Sequence, residues 1–304
     1  MSAAWVAGSV RGRLLLGRRL GREQALDLAR AGSVAEALAL LAASPYGRAG
    51  ELAGDVAAAQ RAIAATLLLH LRLLAGWLPP AGVGAIRALA GWFELVNVED
   101  RLAYLLGRPL EHPFDLGSLS LSWPALSQAQ TPGDLRAALA ATAWGDPGDE
   151  EPADVALSLR AAWGRRVLAE TPEARDWVGG ALALLAARGL TRGGALRPAA
   201  LTPLLGSAWE RAQTVPALAA ALPSDAGWVL EGVRDPDELW RAEAAWWSRV
   251  ERDAEELARG SREGRSVVVG VAALLAADAR RAGMAVAAAA RGDAALLRGA
   301  DVPG

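Results

Sequence analysis

Apolar positions recur every three or four residues through most of the chain, and the two-residue alternation of a half-buried strand is almost absent. The best strand-like run, Val267–Val269, sits inside a helical pattern, so the expected fold is all-α. The first elements predicted are an arginine-studded helix over 9–20, a short helix over 22–30 and a helix opened by Ser33. Two long helices follow, over 55–78 and 83–106, parted by Pro79-Pro80 because proline ends a helix. The same order then returns twice. A short element (119–129) leads to a helix opened by Thr131 and long helices over 154–169 and 172–188. Another (198–212) leads to Thr214 and long helices over 236–258 and 265–291.

The short helices that open each cycle are related in sequence. SVAEALALLAASPYG (33–47), TPGDLRAALAATAWG (131–145) and TVPALAAALPSDAGW (214–228) align without gaps. The first two share a hydroxyl start (Ser33, Thr131), an acid three residues on (Glu36, Asp134), Leu41/Leu139 and a second hydroxyl (Ser44/Thr142). Both end in an aromatic-glycine pair, Tyr46-Gly47 and Trp144-Gly145. The third copy keeps Thr214 and Leu222, has Asp225 at the second hydroxyl and ends reversed, as Gly227-Trp228. A hydroxyl followed three residues later by an acid is a helix-start signature, because each side chain satisfies a free backbone N–H. The aromatic is followed nine, ten and nine residues later by an aspartate that opens the next helix: Asp55, Asp154 and Asp237. Alanine matches carry no weight in so alanine-rich a chain, but agreement in element order and loop length points to three repeated units. Their expected bounds are 1–110, 111–196 and 197–304, in keeping with a 304-residue chain too long for one core.

Composition narrows the function. All 32 basic residues are arginine, so lysine chemistry such as a Schiff base or a P-loop is excluded. There is no cysteine, hence no disulfide and no thiolate metal site. A net charge of −2 argues against nucleic-acid binding. The N-terminus has arginines where a signal peptide has its apolar core. The apolar stretches 62–78 and 267–290 are interrupted by charged or polar residues, so no membrane span is expected and the location expected is cytoplasmic.

Candidate chemistry is sparse. His70 lies in the apolar run TLLLHLRLL, where packing or groove lining is expected; His112 lies in the turn LEHPFD. Asn97, Glu99 and Asp100 share a helix, but 97 and 99 do not share a face, and no facing DxxxD or DDxxD set exists to bind magnesium and a diphosphate. Asp253, Glu255 and Glu256 alternate with Arg249, Arg252 and Arg259, the pattern of a solvated helix held by ion pairs. The acidic run 146–151 reads as a loop. No catalytic site and no cofactor or metal site is expected. For each of the twelve tryptophans, core filling competes with lining a partner-binding groove.

Three helical units with marker helices, two of them ending in hydroxyl-x-aromatic, resemble the AC39 family of V-type and A-type ATPases, to which the V0 d subunit belongs. The opening GSVRGRLLLGRRLGREQALDLARAGSVAEALALLAASPYG is similar to that family's first helices. WFELVNVEDRLAYLLGRP is similar to its helix with a central asparagine, which places motif positions at Glu94, Asn97 and Arg101. SVVVGVAALLAADARRAGMAVAAAARGD is similar to its last long helix, with Asp278 as the acid and Arg281 where the asparagine belongs; the second unit has Gly179-Gly180 there. The resemblance implies three pseudo-threefold-related units forming a funnel, on the cytoplasmic face of a membrane. Such a chain is a non-catalytic rotor part, its partners the central-stalk subunits and the proteolipid ring of a rotary ATPase. The rival expectation is an unrelated helical repeat scaffold that binds a partner helix.

Overall fold

Capped starts and proline or glycine stops set the helix boundaries. In a computed structural model describing residues 2–47, 55–191, 200–260, 263–295 and 297, the described residues form helices and turns and no strand. In chain order the helices are α1 Ala3–Leu16, α2 Gly21–Ala29, α3 Val34–Ala42, α4 Val56–Ala75 and α5 Pro80–Leu105. Then come α6 Trp123–Leu126, α7 Pro132–Ala140, α8 Pro152–Glu170, α9 Arg175–Thr191 and α10 Thr202–Leu205. The last are α11 Val215–Ala221, α12 Ser224–Gly227, α13 Leu239–Arg259 and α14 Arg265–Arg291. The fold is all-α, as expected.

Several boundaries move for identifiable reasons. Pro80 opens α5 immediately after the α4 turn, since a first-turn proline lacks only an N–H that has no helical partner. The expected helix over 119–129 is a 3₁₀ turn, Gly117–Leu119, plus the single turn α6. Gly117, Ser118, Ser120, Ser122 and Pro124 compete with a continuous helix there. The 198–212 element lies partly outside the described residues, and its remainder is α10 and a 3₁₀ turn, Ala208–Arg211. Asp55 does cap α4, accepting from Ala57 N at 2.8 Å. Asp154 instead lies inside the first turn of α8, and the third cap is Asp235, whose Oδ1 accepts from Asp237 N at 2.9 Å.

The chain divides into two compact units, Met1–Ile86 with Trp247–Gly304, and Arg87–Trp246, the boundaries falling within α5 and α13. In the first unit α14 is buried along most of its length, and α1, α2, α3 and α4 pack around it. Its core joins Leu28, Leu38, Leu41, Tyr46 and Ile63 to Ala282, Ala285 and Val286. In the second unit the corresponding core joins Leu95, Val98 and Leu102 of α5 to Leu135, Leu139 and Trp144 and to Val155 and Leu159 of α8. In both cores a marker helix shares its core with the long helix that follows it and with another that does not belong to its own cycle. For α3 that other helix is α14, and for α7 it is α5.

Among the described residues α4 is the one helix long and apolar enough to cross a membrane, with a mean hydropathy of 1.2 in its best stretch. It starts at Val56, earlier than the apolar run read from the sequence, and its apolar content passes through His70. A core helix meets the same criterion, and α4 buries Ile63, Leu68, Leu71 and Leu74 within the first unit.

Candidate functional site

The two well-preserved markers are built alike. Ser33 Oγ accepts from Glu36 N at 3.1 Å, and Glu36 Oε2 accepts from Gly32 N at 2.8 Å. Thr131 and Asp134 form a complete reciprocal box, at 3.1 and 3.0 Å. At the far end Ser44 Oγ donates to Leu41 O at 2.6 Å and accepts from Tyr46 N at 3.1 Å. Thr142 repeats both bonds, donating to Leu139 O at 2.8 Å and accepting from Trp144 N at 3.2 Å. The second hydroxyl therefore folds the chain back so that the aromatic points into the core, where Tyr46 and Trp144 are each 3% exposed. Gly145 follows with φ +81°, a conformation that glycine adopts without steric cost.

Each aromatic ends on a buried carboxylate, and this feature joins the markers to the motif helices. Tyr46 Oη donates to Asp278 Oδ2 at 3.0 Å, and Trp144 Nε1 donates to Glu94 Oε1 at 2.9 Å. The same carboxylates hold the segment just ahead of each marker. Asp278 accepts from Leu20 N at 2.8 Å and Gly21 N at 2.9 Å, tying down the start of α2. Glu94 accepts from Leu121 N at 2.7 Å, Ser122 N at 2.9 Å and Ser120 Oγ at 2.8 Å, at the start of α6. Glu94 is fully buried and Asp278 1% exposed, an arrangement that is stable only because several donors replace the lost water.

The remaining motif positions serve the same segment. Asn97, fully buried, donates Nδ2 to Phe114 O at 2.9 Å while its Oδ1 accepts from Phe114 N at 2.7 Å. The Phe114 ring meets Phe93 edge-on, with centroids 5.2 Å apart. Arg101 donates to Ala129 O, just before the Thr131 cap. Glu94, Asn97 and Arg101 thus clamp residues 114–131 against α5 from one side of the helix. Arg281 stands three residues after Asp278 as Asn97 does after Glu94, but it does different work. It ion-pairs with Glu251 of α13 and lies 3.9 Å from Asp278.

The third marker keeps its place and loses its carboxylate. Thr214 Oγ1 accepts from Ala217 N at 3.3 Å, with no acid to return the bond. The helix stops at Ala221, because Pro223 forces Leu222 into an extended conformation (φ −84°, ψ 150°). Trp228 Nε1 donates to Asp176 O of α9 at 3.3 Å. The glycines at the motif position let the marker backbone approach directly. A Cβ on Gly179 would lie 2.3 Å from Asp225 O, and one on Gly180 2.9 Å from the Trp228 ring.

Electrostatics follow this geometry. Burial pushes the Tyr46 phenol well above its ordinary range, and the neighbouring Asp278 charge and hydrogen bond push it further. Burial lowers His70, Arg18 adds to the effect and Asp278 opposes it. Arg166 lies 4.5 Å over the Trp144 ring, its pKa lowered by burial and supported by Glu94. The acids of the clamps accept from internal donors, four at Glu94 and three at Asp278. Among the described residues no group of three or more His, Asp or Glu is placed to hold a metal ion. Asp146 and Asp149 turn the acidic loop by accepting from the backbone of Gly148, Glu150 and Glu151. Arg249–Asp253 and Arg259–Glu255 form the ion pairs read on α13. Of the tryptophans, Trp144, Trp177 and Trp209 are core residues, whereas Trp77, Trp92 and Trp240 are exposed.

Sequence reasoning singled out Glu94, Asn97, Arg101, Asp278 and the two marker aromatics, and the structure brings them together in two clamps. It missed Glu251, Phe114 and Arg166, which carry no local pattern. No protein-family model matches the chain, and no curated protein is significantly similar to it.

Proposed function

We propose that the chain is a non-catalytic coupling component of a rotary ATPase, seated between the central stalk and the proteolipid ring. The observation that carries this reading is the repeated clamp: marker aromatic, buried carboxylate, and the backbone N–H groups ahead of the marker. The donor changes from Tyr46 to Trp144 and the acceptor from Asp278 to Glu94, yet the arrangement is kept. Such a device fixes helices to one another and reacts with nothing, which suits a part whose task is to transmit torque without shearing. The pseudo-threefold funnel belongs to the same proposal, with the two clamps and the Trp228 contact on Asp176 as its three local units.

The test is to tag the chain in its own cells, solubilise membranes in mild detergent and identify what is retained. Stoichiometric proteolipid and stalk proteins are the expected companions. Recovery of the chain alone, or with a soluble helical partner only, overturns the proposal in favour of a scaffold.

A further inference from the structure

α1 is apolar on two sides, and only one of them is covered. Gly8, Ser9, Gly12 and Leu15 are buried, with Gly12 against Val271 of α14. Val6, Val10 and Leu14, each four residues apart, are 41%, 49% and 61% exposed. The helix lies along the end of α4: a Cβ on Gly8 would meet the Leu78 side chain, and Arg11 stacks 4.5 Å over the Trp77 ring. Leu73 and Trp77, one turn apart at the end of α4, are themselves 49% and 47% exposed. A contiguous row of exposed aliphatic side chains marks a surface suited to an apolar environment from elsewhere.

Charge identifies the environment. Residues 2–22 contain five arginines and no acid. Arg13 is committed to Glu263 and to the carbonyls of Ala258 and Gly260, and Arg22 lies 3.6 Å from Glu251. Arg11 and Arg18 border the exposed stripe, and neither meets a carboxylate among the described residues. Aliphatic side chains and Arg11 on α1, Arg18 just past its end and an exposed tryptophan beside it are the ingredients of an interfacial surface on an anionic bilayer. The indole and guanidinium of the Trp77–Arg11 stack suit the headgroup boundary, where one side is apolar and the other wet.

We infer that the outer face of α1, with Leu73 and Trp77 at the end of α4, rests on an anionic lipid surface, Val10 and Leu14 entering the acyl boundary and Arg11 and Arg18 meeting headgroup phosphates. This contact does not rest on the rotary reading, because it needs no other protein. The test is flotation of the purified chain with phosphatidylglycerol-containing vesicles and with pure phosphatidylcholine vesicles. The chain floats with the anionic vesicles and is released by 1 M salt, which cuts the screening length to about 3 Å. R11Q/R18Q weakens the partition about 25-fold, roughly five-fold for each arginine near the surface. V10S/L14S weakens it at least as much while leaving the thermal transition in place, since both side chains face outward. Equal flotation with both vesicle types, no flotation, or folded variants that float like the parent overturns the inference. So does concentration-dependent self-association, or retention on an acidic protein, that V10S/L14S abolishes while vesicle binding is absent.

Discussion

Trp144 and Glu94 stand 50 residues apart in sequence, and the indole N–H of one ends 2.9 Å from the carboxylate of the other. The bond is the second of a pair whose first member spans 232 residues, from Tyr46 to Asp278. Tyrosine and tryptophan share no hydrogen-bonding atom, and aspartate is a methylene shorter than glutamate. What the two clamps preserve is a buried acceptor facing a donor on a marker and the N–H groups ahead of that marker.

Glu94→Ala leaves four donors without their acceptor, the Trp144 indole, the Leu121 and Ser122 N–H groups and the Ser120 hydroxyl. A buried donor left unpaired costs about 1–3 kcal/mol, so a loss of about 4 kcal/mol or more is expected. Glu94→Gln turns one acceptor into a donor among donors and costs about half as much. Chemical denaturation reads the totals, and hydrogen exchange places them. Glu94 variants open residues 114–145, whereas Asp278→Asn opens residues 20–46.

The Tyr46 phenol gives an alkaline signature. Its folded pKa is raised above the ordinary value of 10.0, so its contribution is complete below pH 10 and is lost as pH rises toward the folded value. Above pH 10 the parent loses stability with an extra slope of about 1.4 kcal/mol per pH unit that Tyr46→Phe lacks. The gap between the two proteins therefore narrows with rising pH. A constant gap would remove the clamp as its cause.

Gly179→Ala sets two effects against each other. In an open helix the change stabilises by up to about 1 kcal/mol. Here the new Cβ would lie 2.3 Å from Asp225 O, and the marker must move. A net loss of about 1–3 kcal/mol is expected from such overpacking, read as a lower urea midpoint at unchanged slope.

Asn97→Leu keeps the volume and removes both bonds to Phe114. The buried N–H and C=O of that residue lose the amide that serves them both, and a loss of about 2–4 kcal/mol is expected. Asn97→Asp restores the acceptor alone and recovers only part of it.

The caps and the helices were legible because each depends on residues within a few positions of one another. Ser33 with Glu36 and Thr131 with Asp134 need no tertiary context to be recognised. The role of the second hydroxyl was not legible: Ser44 and Thr142 matched, but only the fold shows that they turn an aromatic inward. Glu94 and Asp278 were marked by resemblance alone, since a lone acid on an apolar helix does not announce donors from 26 to 258 residues away. The misplaced helix openings at Asp154 and Asp237 have a local cause. Several acids crowd each start, and the neighbouring prolines, Pro152 and Pro236, decide which residue precedes the first turn.

Asp278 also sets a timetable for making the protein. Tyr46 and the start of α2 leave the ribosome 232 residues or more before the acceptor that pairs them, and at 5–20 residues per second the delay is on the order of 10–50 seconds. The stretch 87–246 has both partners of its own clamp early and is free to settle as it emerges. Residues 20–46 are thus made early and secured late, waiting in solution for the final long helix to be translated.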